Sequence, residues 1–216
     1  MSQISVPVIA IDGVAGSGKG TVRRKVAEIL GWNELDSGIL YRIVAYISLY
    51  KFFSSKEEFV KASHLIKGVI MSNGKILYEG INIAEYLRLP IIDEFVPKVA
   101  AIEEVRSSLR EIQMGMRKPP GLVAEGRDMC FIFDSSCKFF LTASAEERAR
   151  RRVSQMSAQG VFLGYREVLK AVLERDFQDS TRKASPLKIH PDALKIDTTF
   201  IKADKVAQII IENSRF

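Results

Sequence analysis

Val6 to Ile11 is a continuous apolar run that stops at Asp12-Gly13, the pattern of a short strand buried on both faces of a parallel sheet. From Lys19 to Leu30, Val22, Val26, Ile29 and Leu30 recur at helical spacing, and Gly31 predicts the stop. A strand around Asn33 to Leu35 leads to Asp36-Ser37-Gly38, and Tyr41 to Phe52 reads as a second helix. Strand, loop, helix and strand in that order open a βαβ architecture.

The middle of the chain has another character. Lys56 to Lys67 reads as a helix, while Val69 to Met71 and Lys75 to Tyr78 flank Ser72-Asn73-Gly74, a hairpin signal. Leu87 to Pro97 is broken by two prolines, so a helix-plus-hairpin insertion is predicted over 53–98. One helix is then expected from Lys98 to Met116, with Val99, Ile102, Val105, Leu109 and Ile112 along one face, ended by Pro119-Pro120-Gly121. Gly121 to Glu125 and Cys137 to Thr142 read as two more buried strands. A charged helical region from Glu146 to about Arg182 is interrupted at Gln159-Gly160 and at Gly164. A last strand, Ala193 to Asp197, and a helix from Ala203 to Asn213 complete the chain. Five core strands alternating with helices predict a doubly wound, five-stranded parallel α/β sheet with helices on both faces. The core is expected over 1–52, 99–150 and 183–216.

Composition narrows the class. With 216 residues, 47% hydrophobic and 27% charged, the chain suits one well-cored globular domain with insertions. No apolar run approaches the roughly 18–20 residues of a membrane span. The N-terminus lacks a basic region before its short apolar stretch, so no signal peptide is predicted and the cytoplasm is the expected location. A net charge of +6 suits anionic substrates, phosphates above all, and also weak non-specific nucleic-acid binding. Cys130 and Cys137, with His64 and His190 far away in sequence, make no zinc pattern and are expected as buried thiols outside any disulfide.

The strongest chemical signal is Gly13-Val14-Ala15-Gly16-Ser17-Gly18-Lys19-Gly20-Thr21. A loop that wraps phosphates must turn backbone N–H groups inward with no side chain in the way, and glycine permits this. It must also deliver the anion to a helix N-terminus, where amides and dipole favour negative charge. Lys19 adds a mobile positive charge for the β- and γ-phosphates, and Thr21 a hydroxyl for phosphate or for magnesium, directly or through water. The strict pattern wants Ser or Thr directly after the lysine; Gly20 stands there instead. A buried strand before the loop and a helix after it still identify an ATP-binding phosphate loop.

Gly-Lys-Gly-Thr, followed by Leu35-Asp36-Ser37-Gly38 and Tyr41-Arg42, resembles the nucleoside monophosphate kinases, and among them the bacterial-type cytidylate kinases. Four further blocks carry that resemblance: Glu125-Gly126-Arg127-Asp128-Met129, Val99-Ala100-Ala101 with Val105-Arg106, Glu174-Arg175-Asp176 through Asp179 to Arg182, and Ala184-Ser185-Pro186-Leu187. It implies transfer of a phosphoryl group from magnesium-ATP to CMP or dCMP by a monomeric enzyme, with no membrane or specific nucleic-acid partner. The insertion over 53–98 would be the family's monophosphate-binding subdomain, and 151–182 its helical lid. Ser37, Arg106 and Asp128 would contact the nucleoside or base, Arg42 and Arg127 the acceptor phosphate, and Asp179 and Arg182 the sugar. Arg127, Arg175 and Arg182 would join Lys19 around the transferring group, while Arg148 and Arg152 would meet ATP. Arginine's planar fork suits such phosphate oxygens.

Two departures keep other readings open. Pro97 stands where the family has a serine that helps read cytosine, and Cys130 follows Met129 where the family continues Gly-Thr, with the segment to Lys138 about two residues shorter. The alternatives are a related small-molecule kinase with another acceptor, such as UMP, and a non-catalytic nucleotide- or nucleic-acid-binding module. The run Arg148 to Arg152 also fits a charged helix face or a basic patch.

Overall fold

The structure, a computed structural model, describes residues 6–72, 75–135, 137–158 and 160–215. Its first elements are β1 (Val8–Gly13), α1 (Lys19–Leu30), β2 (Asn33–Asp36) and α2 (Ser37–Tyr50). They are followed by α3 (Lys56–Leu65), β3 (Ile70–Ser72), β4 (Lys75–Tyr78), β5 (Ile81–Asn82), α4 (Pro90–Ala100) and α5 (Glu103–Gly115). The remainder is β6 (Leu122–Gly126), α6 (Met129–Ile132), β7 (Cys137–Thr142), α7 (Ala145–Ser157), α8 (Tyr165–Thr181), β8 (Leu194–Asp197) and α9 (Ala203–Glu212). These elements form two compact units: one holds the described residues up to Asp36 and from Met114 onward, the other is Ser37–Gln113. No helix among the described residues is long and apolar enough to cross a membrane.

The first unit is built on a five-stranded sheet in the order β2-β6-β1-β7-β8, every neighbouring pair parallel. This is the doubly wound sheet predicted from the strand–helix alternation, with helices on both faces. Side chains alternate along each strand. Ile9 and Ile11, with Val123, Phe139 and Leu141, pack against Val22 and Val26 of α1 and against Val206, Ala207 and Ile210 of α9. Val8, Ala10 and Asp12 are the alternate, equally buried set. The register pairs Ile11 with Glu125 and Asp12 with Gly126, so β1 and β6 end level with each other. In an open α/β sheet the order reverses beside such a central strand, and the carboxyl ends there receive ligands.

The second unit combines α2, α3, α4 and most of α5 with the antiparallel sheet β3-β4-β5. The turn expected at Ser72-Asn73-Gly74 falls in part outside the described residues, and β5 had no clear signal in the sequence. The expected insertion, 53–98, falls inside this unit. Ser55 caps α3 reciprocally with Glu58, fixing its start.

Local readings need correction here. α2 begins at Ser37 rather than Tyr41. The break expected across Leu87 to Pro97 occurs at the first proline only: a short turn, Tyr86–Arg88, ends at the extended Leu89 and Pro90 opens α4, where its missing N–H costs nothing, whereas Pro97 lies inside the helix near its end. The single helix expected from Lys98 to Met116 is two. α4 closes at Ala100, with the Ala101 N–H bonded back to Pro97 and Val99, and the acidic first turn of α5, Glu103 and Glu104, favours a new N-terminus.

In the first unit, Gly121 admits the indole of Trp32 so closely that an added Cβ would lie 2.3 Å from its ring. Gly121→Ala should therefore destabilise the protein by about 1–3 kcal/mol through overpacking. The measurement is the urea midpoint followed by the fluorescence of Trp32, the chain's single tryptophan. An unchanged midpoint would mean the indole moves aside without cost.

Candidate active site

The glycine-rich segment links the end of β1 to the first turn of α1. Gly16 and Gly18 take φ of 74° and 90°, the left-handed turns that let such a loop curl. α1 begins at Lys19 with no side-chain cap and no acidic residue in its first turn. A helix start of this kind offers its amides and dipole to an anion.

Lys19 is only 6% exposed. Its Nζ donates to the carbonyls of Gly13 at 2.9 Å and Val14 at 2.7 Å, with Ser17 Oγ at 3.5 Å. Burial, and then the charge of Arg127, push its pKa down to about 7, while Glu125, Asp12 and Asp179 pull upward. Other side chains brace the loop itself. Arg148 Nη1 donates to the Ala15 carbonyl at 3.1 Å, and Thr198 Oγ1 donates to the Ser17 carbonyl at 2.9 Å.

The missing hydroxyl after the lysine has a steric cause. A Cβ at position 20 would lie 3.1 Å from Glu125 Oε1. Glu125 has little freedom to move, because Arg23 holds it at 3.0 Å and is itself held by Glu34 at 3.2 Å. Thr21, one residue on, is exposed. It lines a cavity of about 410 Å³ beside the loop, together with Ser17, Gly18, Arg151, Thr198 and Phe200.

At the end of β6 the chain continues into Arg127 and Asp128. Arg127 Nε donates to Asp179 Oδ2 at 2.7 Å. Arg175 and Arg182, on the same side of α8 and its end, each approach Asp179 Oδ1 at 3.4 Å. Burial raises the pKa of Asp179, but Arg127, Arg175 and Arg182 outweigh it and hold the carboxyl below its ordinary value. Three arginines thus share one carboxylate, and two members of the group, Arg127 and Asp179, lie within electrostatic reach of Lys19.

The structure therefore brings Lys19, Arg127, Arg175, Asp179 and Arg182 together in the first unit. Asp128, buried, begins the short helix α6. Arg148 is a strut: its guanidinium also bonds the Ala143 carbonyl at 3.0 Å and both oxygens of Asp176 at 2.9 and 2.6 Å. Arg152 is exposed. Sequence reading missed Arg151, which bonds Thr198 through its hydroxyl at 3.1 Å and its carbonyl at 2.5 Å. The signal was available, since Arg151 follows Arg148 by one helical turn. In the second unit, Ser37 opens α2. Arg42 pairs with Asp93 and donates to the Leu87 carbonyl at 2.7 Å. Arg106 donates to the Ala100 carbonyl at 3.0 Å and lies over the ring of Tyr41, 5.2 Å from its centroid.

A parallel sheet whose central strand ends in a glycine-rich loop, with a buried lysine opening the next helix, defines a P-loop nucleotide-binding fold. A sequence model described as "Cytidylate kinase" matches residues 9–215. A cytidylate kinase of Pseudomonas aeruginosa (strain UCBPP-PA14) is 40% identical over 218 residues, covering 97% of this chain and 95% of its own. One from Stutzerimonas stutzeri (strain A1501) is 42% identical over 215 residues, covering 95% and 94%. The chain belongs to the cytidylate kinase family.

Cys130 spends its side chain on the sheet. Its Sγ lies 3.6 Å from the carbonyls of both Ala10 and Phe139. Neither it nor Cys137 forms a disulfide, and both are buried, as the sequence suggested. Burial, reinforced by the nearby Asp12 carboxylate, pushes the Cys130 thiol far above its usual range. The native protein at pH 8 should therefore resist a thiol-disulfide reagent that titrates both cysteines after unfolding in guanidinium. Rapid native labelling of Cys130 would show that α6 opens readily.

Proposed function

We propose that this protein transfers the γ-phosphoryl group of ATP to CMP or dCMP, forming ADP and CDP or dCDP. The observation that carries the reading is the meeting of the buried Lys19 with the Arg127–Arg175–Arg182 cluster at the ends of β1 and β6, in a chain of the cytidylate kinase family. Lys19 Nζ now rests on loop carbonyls, a donor position that phosphate oxygens can take over. ATP binds along Gly13 to Thr21, and the cavity beside the loop takes its base, with the ring of Phe200 at the wall. Arg148 serves ATP through the loop backbone that it braces, and Arg152 from the surface of α7.

On the acceptor side, Arg42 and Arg127 hold the monophosphate, Ser37, Arg106 and Asp128 the nucleoside, and Asp179 with Arg182 the sugar. The nucleophile is an oxygen of the acceptor phosphate, already ionised, so no histidine or cysteine base is required. Attack on the γ-phosphorus breaks its bond to the bridging oxygen, and ADP leaves. Such a transfer needs alignment and charge compensation more than covalent chemistry. Lys19, Arg127 and Arg175 supply fixed positive charge to the transferring group, and Arg182 steadies Asp179. Closure of the 53–98 insertion and the 151–182 lid would exclude water.

Magnesium fits the donor set here. Among the described residues no three acidic, histidine or cysteine side chains gather into a metal cluster. Thr21 offers one hard oxygen on the cavity wall, leaving nucleotide phosphates and water as the other ligands, which is magnesium's usual preference. When bound, the ion would supply neutralisation of charge on the nucleotide phosphates.

Asp128 is buried and can accept from the cytosine amino group, whereas the uracil carbonyl would leave it unmatched. An unmatched buried acceptor costs about 1–3 kcal/mol, roughly ten- to a hundredfold. ADP release measured against CMP, dCMP, UMP, AMP, GMP and shikimate should show that preference for CMP over UMP. Asp128→Asn, whose amide can donate to a carbonyl, should narrow it; equal rates with CMP and UMP in the native enzyme would overturn the base assignment.

Lys19→Ala should lower turnover by about 100- to 1,000-fold with the fold intact. Arg127→Ala and Arg42→Ala should weaken CMP use far more than ATP binding, which separate nucleotide titrations would resolve. Near-normal kinetics in Lys19→Ala would remove the loop from the mechanism.

A further inference from the structure

Asp12 takes no part in the chemistry above, yet it occupies the junction between the two halves of the first unit's site. It is the residue before Gly13, is 1% exposed, and belongs to the face of β1 that carries Val8 and Ala10. Its two carboxylate oxygens are both engaged. Oδ1 accepts the Met129 N–H at 2.9 Å, and Oδ2 accepts the Cys130 N–H at 2.9 Å. The register sets Asp12 beside Gly126, so the chain that leaves β6 through Arg127 and Asp128 turns back and is pinned to the strand that launches the phosphate loop.

No ion pair neutralises this carboxylate among the described residues. Burial pushes its pKa up to about 6; the Cys130 and Met129 amides act downward and the charge of Asp128 upward. Lys19 and the Cys130 thiol are the other titratable groups that feel it. Because the folded value lies above the ordinary 3.8, stability from this group is present below about pH 4 and is lost as pH rises through 6. At neutral pH the ionised side chain costs the fold stability, so stability does not account for a charge at this position. Two charge-assisted bonds to consecutive amides give it a geometric consequence instead.

We propose that Asp12 is a positioning residue for phosphoryl transfer: its carboxylate clamps the amides of Met129 and Cys130 and so holds Arg127 and Asp128 at a fixed offset from the phosphate loop. The proposal rests on the reading of Arg127 and Asp128 as acceptor-side contacts. Small displacements there are costly, because transfer depends on near-attack alignment.

The test compares Asp12→Asn with the native enzyme. The carboxamide keeps one acceptor and turns an N–H toward the other amide, so one bond is lost with little change of shape. In a folded variant, kcat/KM for CMP at saturating ATP should fall about ten- to a hundredfold, while ATP affinity measured by titration stays within about threefold. Amide exchange at Met129 and Cys130 should accelerate in the variant. CMP kinetics within twofold of the native enzyme would overturn the proposal. Parallel losses of ATP and CMP affinity would do so too, by making Asp12 a support of the loop alone. Should the variant fail to fold, exchange in the native enzyme decides: Met129 and Cys130 amides as fast as those of exposed loops rule out the clamp. Native enzyme is assayed first; if it phosphorylates no monophosphate, the acceptor reading fails and takes this proposal with it, an outcome distinct from failure of the clamp.

Discussion

An ammonium taken out of water must find replacement dipoles, and Lys19 finds them in the carbonyls of the loop that it opens onto. The same group sits in the field of Arg127, which works against its charge, and of Glu125, Asp12 and Asp179, which work for it. Like charges are thus held close, and burial together with Arg127 outweighs the three carboxylates, so the ammonium is disfavoured. A polyanionic ligand relieves that repulsion on arrival, which neither a neutral ligand nor a cation can do. The sheet order serves this arrangement. With β6 next to β1 and the two ending level, Lys19 and Arg127 issue from neighbouring strand ends, and α8 brings Arg175, Asp179 and Arg182 to the same place.

Asp179 has a particular part in that balance. It accepts or approaches three guanidinium groups, while the Leu187 N–H donates to its carbonyl at 2.7 Å and ties the end of α8 to the following loop. The carboxylate keeps the arginines gathered without matching their total charge. A stronger internal acid cluster would have neutralised them and left nothing for phosphate.

Features that depend on near neighbours in sequence were legible. The apolar run of β1, the glycine-rich loop, the helix after it and the alternation of strands with helices all follow from local pattern, and the five-stranded sheet followed from them. What was not legible depends on distant partners. Nothing near Gly20 explains its missing side chain; the cause is Glu125, pinned by Arg23 across 102 residues of sequence. Asp12 read as the end of a strand because its partners, Met129 and Cys130, lie 117 and 118 residues away. Arg148 drew attention as a charge in a basic run, but its bonds to Ala15 and Asp176 are tertiary facts. The misread prolines have another origin. A rule about helix interiors was applied to both, but Pro90 opens α4, where its amide has no intrahelical partner to lose, and Pro97 lies inside α4 close enough to its end that the helix runs on through it.

Asp12, Lys19 and Glu125 are each held against the ionisation they would prefer in water: the two acids raised and the lysine lowered, burial being the first cause in all three. They cluster at the ends of β1 and β6 and the start of α1. Further along the same strands, Val8, Ile9, Ala10, Leu122, Val123 and Ala124 are buried and apolar. The cost is therefore spatially confined, with an ordinary sheet core offsetting an unfavourable rim. Such separation permits the rim to be tuned by electrostatics while the strands keep their register. It also argues against reading the rim charges as structural: a sequence selected for stability alone would place apolar or neutral groups there, as it does two residues earlier in either strand.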